Sequence, residues 1–271
     1  MKIALAAVAV AVAGGVAGLG LLLSGGSSLS WEPCGAIECT TIVVPLDYDH
    51  PDGRVIELAV ARRRAIDRSE RIGTLLLNPG GPGSAAISYV RDAGAVLPRE
   101  VLRRFDIVAV DPRGAGRSEG LACSVDPERL FEAEDAFVGG ERKLARQIYR
   151  AALNGCLRED PEALPFLGTV NHARDLDRLR EALGEDRVAF IGFSYGTLLG
   201  AAYAHLFPDR VRAMVLDSGV LPGASWEDMV RGQAASVERA LERFFATCPS
   251  PSCDLQDARA TWLAAAERLT Q

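Results

Sequence analysis

The strongest chemical signal in the 271-residue chain is Gly192-Phe193-Ser194-Tyr195-Gly196, a serine with a glycine two positions to either side. It follows the apolar run 187–191 and precedes a helical pattern that begins at Tyr195. Such a serine sits on a tight strand-to-helix turn, where the small neighbours let the chain fold sharply enough to expose Oγ. The helix N-terminus beneath it favours developing negative charge. The chemistry this serves is nucleophilic attack on an acyl carbon, with Ser194 as the candidate nucleophile. A tetrahedral intermediate then needs two hydrogen-bond donors, one from the residue after the serine and one from a loop after an earlier strand. Tyr195 supplies the first N–H. Asn78-Pro79-Gly80-Gly81-Pro82-Gly83-Ser84 lies between a strand pattern and a helix pattern, and Gly81 is the candidate for the second. This glycine-rich loop has neither a dinucleotide fingerprint nor the Lys-Ser/Thr ending of a phosphate loop, so no cofactor is expected.

A serine hydroxyl also needs a base, and on this plan the chain order is Ser, then Asp or Glu, then His. His205 is the one histidine after Ser194, 11 residues along the same helix. That is about 16 Å of helical rise, too far for a hydrogen bond to Oγ. His50 and His172 precede the serine and break the order. Asp217 closes the next strand, where it is expected to brace the Ser218-Gly219 turn rather than act as the acid. The acid and histidine are therefore expected beyond Gln271, which makes these residues a truncated chain, nearly inactive alone, with an unpaired sheet edge.

These residues require a scaffold of strands alternating with helices. Short apolar runs at 72–78, 105–111, 187–191 and 211–217 have the pattern of strands buried on both faces. Segments 85–95, 171–183 and 195–207 carry apolar residues at helical spacing, and Gly184 stands where a helix would end. Before them, runs 41–46 and 54–61 flank a Pro/Gly turn and read as a hairpin. The alternation predicts a doubly wound, mostly parallel sheet. Residues 119–167 interrupt it with a polar, Glu/Arg-rich helix read as an excursion over the sheet. From Ser225 two helical stretches look like the start of a helical cap.

The formal charge of -6 is spread along the chain without a basic stripe, so nucleic acid is not an expected partner. Residues 1–30 have the form of an export signal or membrane anchor plus linker: Lys2, an uncharged apolar run through Leu23, then small polar residues. Six cysteines suit an exported, disulfide-bonded protein. Cys34 with Cys39, Cys123 with Cys156 and Cys248 with Cys253 is the simplest of the connectivities open to them. Their spacings are not those of a zinc site, and no metal is expected.

Together, Val44-Pro45-Leu46-Asp47-Tyr48, the 78–83 loop, Asp111-Pro112-Arg113-Gly114, Phe193-Ser194-Tyr195-Gly196-Thr197 and Val215-Leu216-Asp217 identify a resemblance. With the early Cys34 and Cys39, they make the chain similar to the prolyl and tripeptidyl aminopeptidases among α/β-hydrolases, especially the exported actinobacterial proteins. The resemblance runs from about Trp31 to the end. It implies an α/β-hydrolase core over 31–224 and a helical cap from 225 that admits only free peptide N-termini. It also implies that Ser194 forms an acyl-enzyme, that Gly81 and Tyr195 hold the oxyanion, and that Asp111 and Arg113 brace loops. One departure is Ser84-Ala85, where a further glycine is common in the family. The residues that bind substrate are not indicated. An esterase or lipase of the same fold, or a secreted pseudoenzyme that only binds, would carry the same elbow.

Overall fold

The computed structural model describes residues 29–121, 126–248, 253, 255 and 257–269. The export segment lies outside them, as does Cys123. No helix among the described residues is long and apolar enough to cross a membrane.

The chain opens with β1 (Glu32–Pro33), β2 (Glu38–Pro45) and β3 (Val55–Arg63), which pair antiparallel. β4 (Gly73–Asn78) leads into the short helices α1 (Ile87–Arg91), α2 (Ala93–Val96) and α3 (Arg99–Arg104), then β5 (Phe105–Val110). Next come α4 (Pro127–Val138), α5 (Arg142–Glu159) and α6 (Thr169–Ala182). β6 (Val188–Phe193), α7 (Tyr195–Leu206) and β7 (Val211–Asp217) follow, and α8 (Trp226–Thr247) and α9 (Ala258–Leu269) end the described chain. The sheet order is β1-β2-β3-β5-β4-β6-β7, with β5, β4, β6 and β7 mutually parallel.

Alternation along the strands sorts the core into two layers. Leu76, Val108, Val188 and Phe190 point to the face covered by Leu176 and Leu179 of α6 and Leu199 and Tyr203 of α7. Their neighbours Leu75, Leu77, Ile107 and Ala189 point to the other face, under Ala93, Leu97 and Leu102. A strand buried on both faces reads as a continuous apolar run, which explains the stretches that form β4, β5 and β6. β7, expected to be buried on both faces like the other three, is instead exposed along most of its length: it forms one edge of the described sheet and leaves Val215 and Leu216 exposed, at 56% and 43%.

Two further expectations need correction. The excursion is a hairpin of two helices, α4 and α5, because Gly139 and Gly140 (φ 87°) break it. The single helix expected over 85–95 is split into α1 and α2 at Asp92, whose φ of -94° and ψ of 14° leave the helical region. Cys34–Cys39 and Cys248–Cys253 are disulfides, with Cα atoms 5.8 and 5.3 Å apart, and Cys156 is also disulfide-bonded.

Candidate functional site

Ser194 joins the last residue of β6 to the first of α7, with φ 52° and ψ -121°. No other described non-glycine residue except Ser218 has positive φ, and such a conformation persists only where the surroundings over-determine it. Those surroundings are specific. The Ser194 N–H donates to the Asp217 carbonyl at 3.0 Å, tying the turn to the end of β7. The Thr197 N–H and hydroxyl both donate to the Ser194 carbonyl, at 2.9 and 2.7 Å. The same hydroxyl accepts from the Val220 N–H at 2.8 Å. Thr197 thus stitches the serine to the loop after β7, a role legible only as the position following the motif.

The glycines flanking Ser194 are there because nothing larger fits. A Cβ on Gly192 would lie 2.3 Å from the Gly196 carbonyl oxygen, and one on Gly196 would lie 2.7 Å from that of Asn78. Close crossing of β6, α7 and the loop after β4 is what leaves the serine at the tip. Ser194 Oγ belongs to a half-buried residue.

The 78–84 loop lies against this turn. Gly80 (φ 103°) packs so that a Cβ there would sit 2.5 Å from the Phe193 carbonyl oxygen and 3.3 Å from the Tyr195 nitrogen. The Gly80 N–H is taken up by Asn78 Oδ1 at 3.0 Å. The next N–H, that of Gly81, makes no hydrogen bond among the described residues. Tyr195, as the first residue of α7, has an N–H without an intrahelical acceptor. Both N–H groups are thus without an acceptor among the described residues, in the two segments that meet where Gly80 packs on the turn. The Tyr195 hydroxyl bonds Thr169 Oγ1 at 2.9 Å, and burial pushes its phenol up.

Asp111 and Arg113 sit behind these loops. Buried Asp111 accepts the Ile87 N–H (3.0 Å) at the start of α1 and the Arg117 N–H (2.9 Å). Arg113 and Asp175 have fully buried side chains joined by two hydrogen bonds of 2.8 and 2.6 Å. The guanidinium also donates to the carbonyls of Leu46, Phe166 and Pro45, and the Tyr48 hydroxyl donates to Asp175 at 2.8 Å. Burial pushes the Asp175 carboxyl up, and Arg113 and Tyr48 oppose that shift. The pair bolts the β2–β3 hairpin, the turn after β5 and α6 together. Tyr48 and Asp175 were not anticipated as partners of Arg113.

None of the three histidines is hydrogen-bonded to Ser194. His50, exposed in the β2–β3 turn, bonds Asp47 at 2.7 Å, which raises its pKa. His172 is buried in α6 with Nε2 unpartnered, its pKa pushed down to about 4 by burial and then by the Arg113 cation. His205 is exposed near the end of α7. The Asp217 side chain is exposed and accepts from the Ser218 hydroxyl at 3.0 Å. A cavity of about 640 Å³ lined by Cys34, Cys39, Ile87 and Arg117 includes none of Ser194, Gly81 or Tyr195 in its wall. No group of three or more His, Cys, Asp or Glu among the described residues is placed to hold a metal.

Residues 73–262 match the family model described as alpha/beta hydrolase fold. The chain is 42% identical over 211 residues to a tripeptidyl aminopeptidase of Streptomyces lividans, covering 72% of this chain and 39% of that protein. It is 37% identical to the serine protease Hip1 of Mycobacterium tuberculosis, covering 82% of this chain and 45% of that one. It is 40% identical to a carboxylesterase B of the same organism, covering 83% and 44%. The chain therefore spans less than half the length of each of these relatives.

Proposed function

The chain belongs to the alpha/beta hydrolase fold family, and we propose that Ser194 is the nucleophile of a serine peptidase that removes residues or short peptides from peptide N-termini. The observation that carries this is the positive-φ serine at the β6–α7 turn, with Gly80 of the glycine-rich loop packed against it. In the reaction Ser194 Oγ attacks the scissile carbonyl and its proton passes to a histidine base. The oxyanion accepts from the N–H groups of Gly81 and Tyr195, in the water-poor setting where such donors are strongest. The protonated amine leaves, and water releases the acyl group from Ser194. Asp111 braces the start of α1 behind the donor loop, and Arg113 ties the turn after β5 to the β2–β3 hairpin and α6, neither of them touching substrate.

None of His50, His172 and His205 is hydrogen-bonded to Ser194 in the structure, and our reading takes the base from outside the 271 residues, which span less than half the length of the relatives. On this reading the 271-residue chain alone turns over on the order of a millionfold more slowly than the whole enzyme. The peptidase reading is supported by the relatives named tripeptidyl aminopeptidase and serine protease. Export is supported by the disulfides, which persist outside reducing compartments.

The relative named carboxylesterase B favours a second reading, an esterase on the same scaffold. Assaying the product of the complete reading frame with a tripeptidyl anilide and a short acyl ester separates the two. Anilide cleavage that disappears in Ser194→Ala supports the peptidase. Ester turnover without anilide cleavage supports the esterase, and no turnover or fluorophosphonate labelling leaves a binding protein.

A further inference from the structure

The α4–α5 hairpin packs mainly on itself, through small residues such as Ala133, Ala136 and Ala145. Its outward surfaces are opposite in character. On α5, Arg142, Arg146 and Arg150 recur every turn along one line, and Tyr149, Leu153 and Leu157 recur every turn beside them. The three apolar side chains are 44%, 51% and 43% exposed. With Phe137, several of these residues line a groove of about 340 Å³. The three arginines make no ion pair among the described residues.

On α4, Glu128, Glu134 and Asp135 face outward around Phe131, itself 66% exposed. They too are without ion pairs; α4's own pair is Arg129–Glu132. One helix therefore presents carboxylates around an aromatic ring, and the other presents guanidinium groups around an apolar groove. Within one chain the two surfaces do not meet.

The geometry points to a second copy of this chain as the partner of the hairpin, docked about a two-fold axis so that α4 of each copy lies along the arginine stripe of the other. Such an interface is self-complementary, as two-fold symmetry requires. Phe131 of one copy fills the groove beside Tyr149 and Leu153 of the other, and the carboxylates meet the arginines. Eighteen residues of α5 rise about 27 Å, and two helices side by side are about 20 Å wide. That face amounts to roughly 540 Å² per copy, or about 1,100 Å² in all, just above the size a specific interface needs. An anionic membrane fits less well, because the carboxylates of α4 border the same surface.

Sedimentation velocity on the product of the complete reading frame at micromolar concentrations tests the pairing. The wild type forms a dimer that weakens as salt is raised. R146E/R150E makes both helices acidic and E134R/D135R makes both basic, so each variant alone dissociates at least about tenfold more readily. Mixed together they restore a heterodimer, which also demonstrates that both are folded. A monomeric wild type, a dimer indifferent to both reversals, or a mixture that stays monomeric overturns the inference. So does a monomeric wild type that binds vesicles of anionic phospholipid through Arg146 and Arg150.

Discussion

Replacing Asp175 by alanine strands the Arg113 cation in the interior. Both side chains have no solvent exposure, so neither water nor a neighbouring carboxylate takes over the charge. Breaking a buried pair by removing one partner costs about 3–5 kcal/mol. The Tyr48 hydroxyl, which donates to Asp175 at 2.8 Å, loses its acceptor and adds about 1 kcal/mol. A domain has only about 5–15 kcal/mol in total, so Asp175→Ala is expected to bring the chain close to unfolding. Urea titration at pH 7, followed by far-ultraviolet dichroism and tryptophan fluorescence, reads the loss as a fall in midpoint at unchanged slope. The double variant Arg113→Met/Asp175→Leu loses less than the sum of its parts, with a coupling of about 2–3 kcal/mol. It does not return to wild type, because the Leu46, Phe166 and Pro45 carbonyls lose their donor. A loss below about 1 kcal/mol for Asp175→Ala, the scale of an exposed pair, would refute the claim that this pair bolts the loops.

Three further outcomes follow from the same geometry. His172 has a folded pKa near 4 against an ordinary 6.5, so the unfolded state takes the proton first as pH falls through that window. Stability should drop by roughly 3 kcal/mol between those limits, about 2 kcal/mol of it by pH 5, and the urea midpoints of wild type and His172→Leu at pH 7 and pH 5 should diverge by that smaller amount; parallel curves would argue against it. Gly192→Ala puts a Cβ 2.3 Å from the Gly196 oxygen, and a thermal melt should show about 3 kcal/mol or more of destabilisation, whereas a neutral result would mean the crossing is looser than described. Ser194→Gly relieves the positive φ of 52° and should raise stability by about 1 kcal/mol, visible as a higher Tm; a lower Tm would show the turn is not strained.

The parallel strands were legible because burial on both faces leaves apolar runs such as Leu75 to Leu77 and Ile107 to Val110. The turn at Ser194 was legible because steric crowding at Gly192 and Gly196 writes itself into a five-residue pattern. The partners of Arg113 were not, since Asp175 lies 62 positions away and Tyr48 bonds Asp175 across 127, and no local rule reports such distances. The break at Gly139-Gly140 was written in the sequence but overridden by the charged composition on either side. The role of Gly80 was hidden for a different reason: a loop's conformation decides which of several glycines touches the turn.

The most direct test of the central claim is reaction of the product of the complete reading frame with a fluorophosphonate, followed by mass mapping of the adduct. A single adduct on Ser194, with labelling and tripeptidyl anilide cleavage both lost in Ser194→Ala, is the predicted result. An adduct on another residue, or cleavage that survives in Ser194→Ala, would contradict it.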